Sequence, residues 1–259
     1  MPQDDHLAHQ TTTELHQNRP EVSRETADSA GFTIRTAGDV ASFSDGVAYD
    51  EHTPLARAAE HTLLARQAAN SRPAMPRPPA TRVIVAANQK GGVGKTTSAV
   101  NLAAALVQLG QRVLVIDLDP QGNASTALNV DHVQGTPSTY ELLVDGASLA
   151  EVVTTAPDLP GLDVVPATID LAGAEIELVS VVAREARLQK ALAGDSRVAE
   201  QGSGDEERWD YVLIDCPPSL GLLTINALVA GAEVMIPIQA EYYALEGLGQ
   251  LLKTVDMVR

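Results

Sequence analysis

The sequence predicts an α/β fold, a doubly wound, mostly parallel sheet flanked by helices. Three observations carry that expectation. Short runs of β-branched and apolar residues alternate with segments of helical spacing, the pattern of strand–helix–strand units. The runs are continuously apolar rather than alternating, as in strands covered on both faces. A glycine-rich turn joins the first strand to the first helix, as in folds that present backbone N–H groups to an anion.

The elements follow in order along the chain. Residues 82–87 (Arg-Val-Ile-Val-Ala-Ala) have the length of a buried strand. Apolar residues at 99, 100, 102, 103, 106 and 109 give a helix over 98–109, with Gly110 as its stop. A second strand covers 112–117, and weaker helices are expected at 138–145 and 148–154. Residues 162–165 form another strand, closed by Pro166. Leu171, Ile176, Leu178, Val179, Val182, Leu188 and Leu192 are spaced for one long helix over 170–193, interrupted only by Gly173. A polar, acidic stretch over 194–208 reads as a surface loop. A strand at 211–215, a helix at 222–230, a strand at 233–238 and a final helix ending at Val258 complete the order.

Residues 1–80 have a different character. The first 50 are rich in Thr, Asp, Glu, Gln and Ser without a sustained period, the composition of a disordered tail. Leu55, Ala58, Ala59, Leu63 and Arg66 allow a short amphipathic helix within 53–69, either transient or a docking segment for a partner. A proline-rich linker over 72–79 ends the tail. The division expected is therefore a tail and linker at 1–80 and a folded domain at 81–259.

The formal net charge of −16 opposes a broadly basic, DNA-coating protein. Residues 81–259 alone carry 11 Lys and Arg against 23 Asp and Glu. Cys216 is the only cysteine, which excludes a disulfide framework and a cysteine-ligated zinc or iron–sulfur cluster. No signal peptide and no apolar run of spanning length is read, so no stable membrane insertion is expected and the location expected is cytoplasmic.

The chemistry concentrates in Asn88-Gln89-Lys90-Gly91-Gly92-Val93-Gly94-Lys95-Thr96-Thr97. Glycines let the backbone approach an anion closely, and the following helix adds its positive end. Lys95 supplies a full charge to β- and γ-phosphates, and the Thr96 hydroxyl is placed to ligate Mg²⁺. Together these residues read as a site for a nucleoside triphosphate. Asp117 and Asp119 close the second strand in Asp117-Leu118-Asp119-Pro120-Gln121-Gly122-Asn123, where such sheets bind ligands, although the same residues also suit a plain turn. Asp215 ends the strand at 211–215 before Cys216-Pro217-Pro218, as a Walker B carboxylate facing Mg²⁺ would. Paired prolines stiffen the loop that follows, and Cys216 reads as a packing residue.

The loop departs from the common pattern, with Gln89 at the first glycine position and an additional lysine at Lys90. In this it resembles the deviant Walker A loop of the ParA/MinD group of P-loop ATPases. From about residue 82 onward the chain is similar, motif by motif, to chromosome-partitioning ParA (Soj) proteins, notably actinobacterial members with comparable N-terminal tails. The string Gln239-Ala240-Glu241-Tyr242-Tyr243-Ala244-Leu245-Glu246-Gly247 strengthens the match. The resemblance implies ATP and Mg²⁺ bound through residues 90–97 and Asp215. It implies a homodimer in the ATP state, with Lys90 reaching the partner subunit's phosphates, and Asp119 positioning the attacking water. It further implies non-specific DNA binding, a nucleoid-associated location, a ParB-like partner, and a role in chromosome or plasmid segregation. Family members continue for roughly a further half-domain, so a missing C-terminal part is also expected. Two alternatives remain: a MinD-like positioning ATPase on a membrane, or a truncated, non-catalytic nucleotide-binding protein.

Overall fold

The computed structural model describes residues 74–198, 207–240 and 244–258. The expected disordered tail, the helix at 53–69 and the Glu241-Tyr242-Tyr243 part of the C-terminal string lie outside them. Six strands make one sheet: β1 (Arg82–Ala86), β2 (Val113–Asp117), β3 (Thr154–Thr155), β4 (Leu162–Val165), β5 (Tyr211–Asp215) and β6 (Glu233–Met235), in the order β3-β4-β2-β5-β1-β6. Every neighbouring pair is parallel except β3 with β4.

Among the described residues seven α-helices accompany the strands: α1 (Lys95–Gln108), α2 (Asn123–Ala127), α3 (Leu149–Val152), α4 (Leu171–Glu177), α5 (Arg187–Ala193), α6 (Leu222–Ala230) and α7 (Ala244–Val258). The continuous apolar runs are explained by the two faces. Val113, Val115, Leu162, Val164, Tyr211 and Leu213 face Ala103 and Leu106 of α1 and Leu128. Leu114, Ile116, Val212 and Ile214 face the other way, into a core with Leu143, Leu171, Leu188 and Leu223. Alternate residues of each strand thus serve opposite layers, both of them dry.

The structure corrects four expectations. The single helix over 170–193 is broken: α4 runs into a short 3-10 turn at Leu178–Ser180, Val181 is extended, and Ala183 takes φ 54° before α5. The apolar residues read as one stripe divide accordingly, with Leu171, Leu178, Leu188 and Leu192 buried and Ile176, Val179 and Val182 exposed. β-Branched residues crowd the preceding helical turn, and four of them at 176, 179, 181 and 182 weaken a helix that no packing holds together. The helix at 148–154 is only α3, opened by a Ser148/Glu151 capping box, and Thr154 instead begins the antiparallel edge strand β3. The helix at 138–145 takes π form over Glu141–Asp145. β6 stops at Met235, two residues before Pro237, which has no N–H for a ladder.

Residues 75–79, read as part of the linker, are bound to the segments that lead into the strands. Met75 N–H donates to Leu109 O (2.9 Å) and Gln111 Nε2 to Met75 O (2.6 Å). Arg208, almost wholly buried, donates to the carbonyls of Pro78 (2.7 Å) and Pro79 (2.9 Å), while Arg77 Nε donates to Asp210 Oδ1 (2.7 Å). Proline carbonyls are free acceptors because the ring removes only the donor. Arg197 stacks on the buried Trp209 ring at 4.1 Å from its centroid.

Candidate functional site

Strand register builds the site. β1, β5 and β2 lie side by side, with Ala86 level with Asp215 and Asp215 level with Asp117. Three strands therefore end together, and the loop leaving the first of them passes beside the carboxylates ending the other two. The loop is pinned at both sides. Asn88 Oδ1 accepts Lys90 N–H (3.0 Å) and its Nδ2 donates to Pro237 O (2.8 Å), while Gln239 Nε2 donates to Gly92 O (3.2 Å). Lys95 Nζ donates to Lys90 O (3.3 Å), which draws that ammonium back over the loop.

Gly92 (φ 73°) and Gly94 (φ 90°) adopt left-handed backbone that a side chain would strain, and Gly94 caps α1. A Cβ added at Gly91, Gly92 or Gly94 would meet nothing within 4 Å, so these positions front open space. That space is a cleft of about 650 Å³ lined by Gly91, Gly92, Gly94, Lys95, Thr96 and Thr97, with Asp119, Asn123 and Pro218 opposite. Lys90 is not part of that wall. The open N-terminal turn of a 14-residue helix and an ammonium beside it suit a polyphosphate.

Asp215 is fully buried, and neither carboxylate oxygen has a hydrogen-bond partner. Burial pushes its carboxyl up to about 7. The nearby Thr96 hydroxyl pulls the other way without closing a hydrogen bond of ordinary geometry, the Asp117 and Asp119 charges add to the rise, and the Lys95 ammonium opposes it. An unpartnered carboxyl in so dry a place fits a cation as its missing partner. Among the described residues no group of three or more His, Cys, Asp or Glu could hold a metal by itself. A cation suited to a lone carboxyl completes its shell with phosphate oxygens and water, as Mg²⁺ does.

Asp119 lines the cleft, is 8% exposed, and accepts Gln121 N–H on Oδ1 (3.0 Å). Asp117, at the same strand end, accepts Asp119 N–H on Oδ1 (3.1 Å) and both Ser125 N–H (2.9 Å) and Ser125 Oγ–H (2.8 Å) on Oδ2. Burial raises its carboxyl to about 6 against the lowering effect of those donors. Cys216 is buried and its thiol is pushed far up by burial, in keeping with a packing residue. Of the residues expected on sequence grounds, Gly91, Gly92, Gly94, Lys95, Thr96, Thr97 and Asp119 line one cleft, Lys90 and Val93 do not, and Asp215 lies buried at the end of β5, beside β1. The braces Asn88 and Gln239 and the buried Ser125 were not singled out; Asn88 and Gln239 are signalled only by standing within the two motif strings, and Ser125 by nothing but a hydroxyl six residues past Asp119. Among the described residues no helix is long and apolar enough to cross a membrane.

Comparison with known proteins agrees with this geometry. An AAA-domain family profile matches residues 81–259. The sporulation initiation inhibitor protein Soj of Bacillus subtilis is 52% identical over 178 residues, covering 69% of this chain and 66% of that protein. The chromosome partitioning protein ParA of Caulobacter vibrioides is 49% identical over 178 residues, covering 69% and 63%. The chain thus spans less than two thirds of the length of either relative. Among solved structures, cobyrinic acid a,c-diamide synthase from Mycobacterium smegmatis, with a bound ATP analogue and magnesium, superposes with a TM-score of 0.59 at 42% identity, over 69% of this chain and 68% of that one. The chain belongs to the AAA-domain family and is similar over 178 residues to Soj and to ParA.

Proposed function

We propose that this chain is a Mg²⁺-dependent ATPase of ParA type, which dimerises on ATP, binds DNA non-specifically and drives chromosome or plasmid segregation with a ParB-like partner. The observation that carries the reading is the buried, unpartnered Asp215 carboxyl, level with Ala86 at the end of the strand from which the glycine loop runs into α1. Gly91 to Thr97 receive the phosphates with backbone N–H groups, and Lys95 leaves the Lys90 carbonyl to meet them. Thr96 and Asp215 would hold Mg²⁺, which would supply positive charge against the phosphates. Asp119 orients the water that attacks the γ-phosphorus; the bond to the bridging oxygen breaks and ADP and phosphate leave.

A role for Lys90 across a dimer interface, on the phosphates of the second copy, is carried over from the resemblance to the ParA group. A cation supplied in trans at the γ-phosphate is worth about 10³–10⁵ in rate when an arginine does it. DNA binding, the nucleoid-associated location and the ParB-like partner are carried over from the resemblance to Soj and ParA, since residues 81–259 are acidic overall. The test is Lys90→Ala. It retains ATP binding while losing ATP-dependent dimerisation in light scattering and at least 10²-fold of turnover. Unchanged turnover would refute the trans role, and failure of the parent chain to bind ATP would refute the ATPase reading.

A further inference from the structure

Two carboxylates, Asp117 and Asp215, close adjacent strands at the same level, yet they are engaged in opposite ways. Asp215 offers both oxygens to nothing, whereas Asp117, equally buried, is saturated by three donors from the loop after β2 and the first turn of α2. We infer that Asp117 is not a second metal-facing group but a positioning residue: with Ser125 it clamps the loop that carries Asp119 and ties it to the turn after β4. This inference rests on the ATPase reading for its catalytic consequence, though not for the clamp itself.

The clamp spans the loop from end to end. Oδ1 holds the N–H of Asp119 and Oδ2 holds both donors of Ser125, so one rigid strand end fixes residues six apart. Ser125 Oγ, its proton given to Asp117, accepts Ala167 N–H at 3.1 Å. The Thr139 hydroxyl donates to the Asp117 carbonyl (2.7 Å) and contacts Pro166 O (3.1 Å), which closes the other side. At the loop's apex Gly122 (φ 62°) comes so near that a Cβ would lie 2.7 Å from His132 Cδ2 and 3.1 Å from Ala167 O. Asp119 therefore shifts only together with residues 166–167, and its carboxylate meets the cleft in a place set by Asp117. A displacement of about 1 Å in such a group costs on the order of 10²-fold in rate.

The variants are Ser125→Ala, which removes one hydroxyl, and Asp117→Asn, in which either amide rotamer sets an NH2 against a donor. Amide hydrogen exchange is measured on the full chain without nucleotide, followed by affinity for a non-hydrolysed ATP analogue with Mg²⁺ and by turnover. The expected result is exchange faster by about tenfold or more over 119–128 and at Ala167, with residues 88–97 unaffected. Analogue affinity stays within about threefold and turnover falls about 10- to 100-fold. Unaltered exchange in Ser125→Ala overturns the clamp. Loss of Mg²⁺-dependent affinity in Asp117→Asn as complete as in Asp215→Asn overturns the positioning role, because Asp117 would then face the metal. A parent chain that binds no analogue, with loop exchange still responding to both substitutions, overturns the ATPase reading and leaves the clamp standing.

Discussion

Replacing Asp215 by Asn separates stability from function at this site, and the structure sets the size of the effect. The carboxyl is raised from 3.8 to about 7, chiefly by burial. Between those values the native state binds more protons than the unfolded chain, so stability falls as pH rises from about 4 to about 7 and is level above. The rise from 3.8 to about 7, at 1.36 kcal/mol for each tenfold change in proton affinity, sets a ceiling of about 4 kcal/mol on what ionising Asp215 costs at pH 8. The amide is never charged, but its own polar atoms stay buried without partners, so the net gain is smaller, about 1–3 kcal/mol. For a domain of this size that corresponds to a rise in Tm of roughly 3–10 °C at pH 8 in EDTA without nucleotide. Near pH 4 the advantage vanishes, because the native carboxyl is then protonated. Asp117, raised to about 6, contributes a slope of the same sign below pH 6 and is present in both proteins. Thermal and urea unfolding across pH 4–9 measures the difference. An Asp215→Asn protein that is less stable at pH 8, or an advantage that does not grow with pH, would refute the assignment of Asp215 as an uncompensated buried acid.

Two further outcomes follow from contacts away from the strand ends. A chain beginning at residue 81 loses Arg77 from Asp210 and two carbonyl acceptors from Arg208. It should be about 2–4 kcal/mol less stable by urea unfolding than one beginning at 74, with Arg77 half-exposed and so contributing the lesser share. Gly122→Ala forces a Cβ against His132 and the Ala167 carbonyl at positive φ, and should cost about 1–3 kcal/mol in thermal unfolding, whereas Gly135→Ala, which has open space but also positive φ (85°), should cost only about 1 kcal/mol.

The parts of this fold that could be read in the sequence were those with one dominant cause. Strands β1, β2, β4 and β5 are covered on both faces, so their unbroken apolar runs stand out against any alternative. The glycine loop was legible because φ values of 73° and 90° leave little choice of residue. The break within 170–193 was hidden because Ile176, Val179 and Val182 keep helical spacing although they face outward. β3 was hidden because two exposed threonines carry no burial signal, only a partner 8–10 residues further on. At the site, Asp117 and Asp119 could be placed at a strand end, yet only the hydrogen bonds distinguish a saturated carboxylate from one that faces the cleft. Asp215 was placed as a metal-facing acid from its position alone, and its lack of any hydrogen-bond partner is a property of the fold. The binding of residues 75–79 was concealed by proline, which reads as linker while its carbonyls serve as acceptors for Arg208.

The most direct test is calorimetric titration of the chain with a non-hydrolysed ATP analogue, with and without Mg²⁺, beside Lys95→Ala and Asp215→Asn. Saturable binding that strengthens at least tenfold with Mg²⁺, loses that gain in Asp215→Asn and disappears in Lys95→Ala is the predicted result. Binding indifferent to Mg²⁺, or undiminished in Lys95→Ala, would contradict the account.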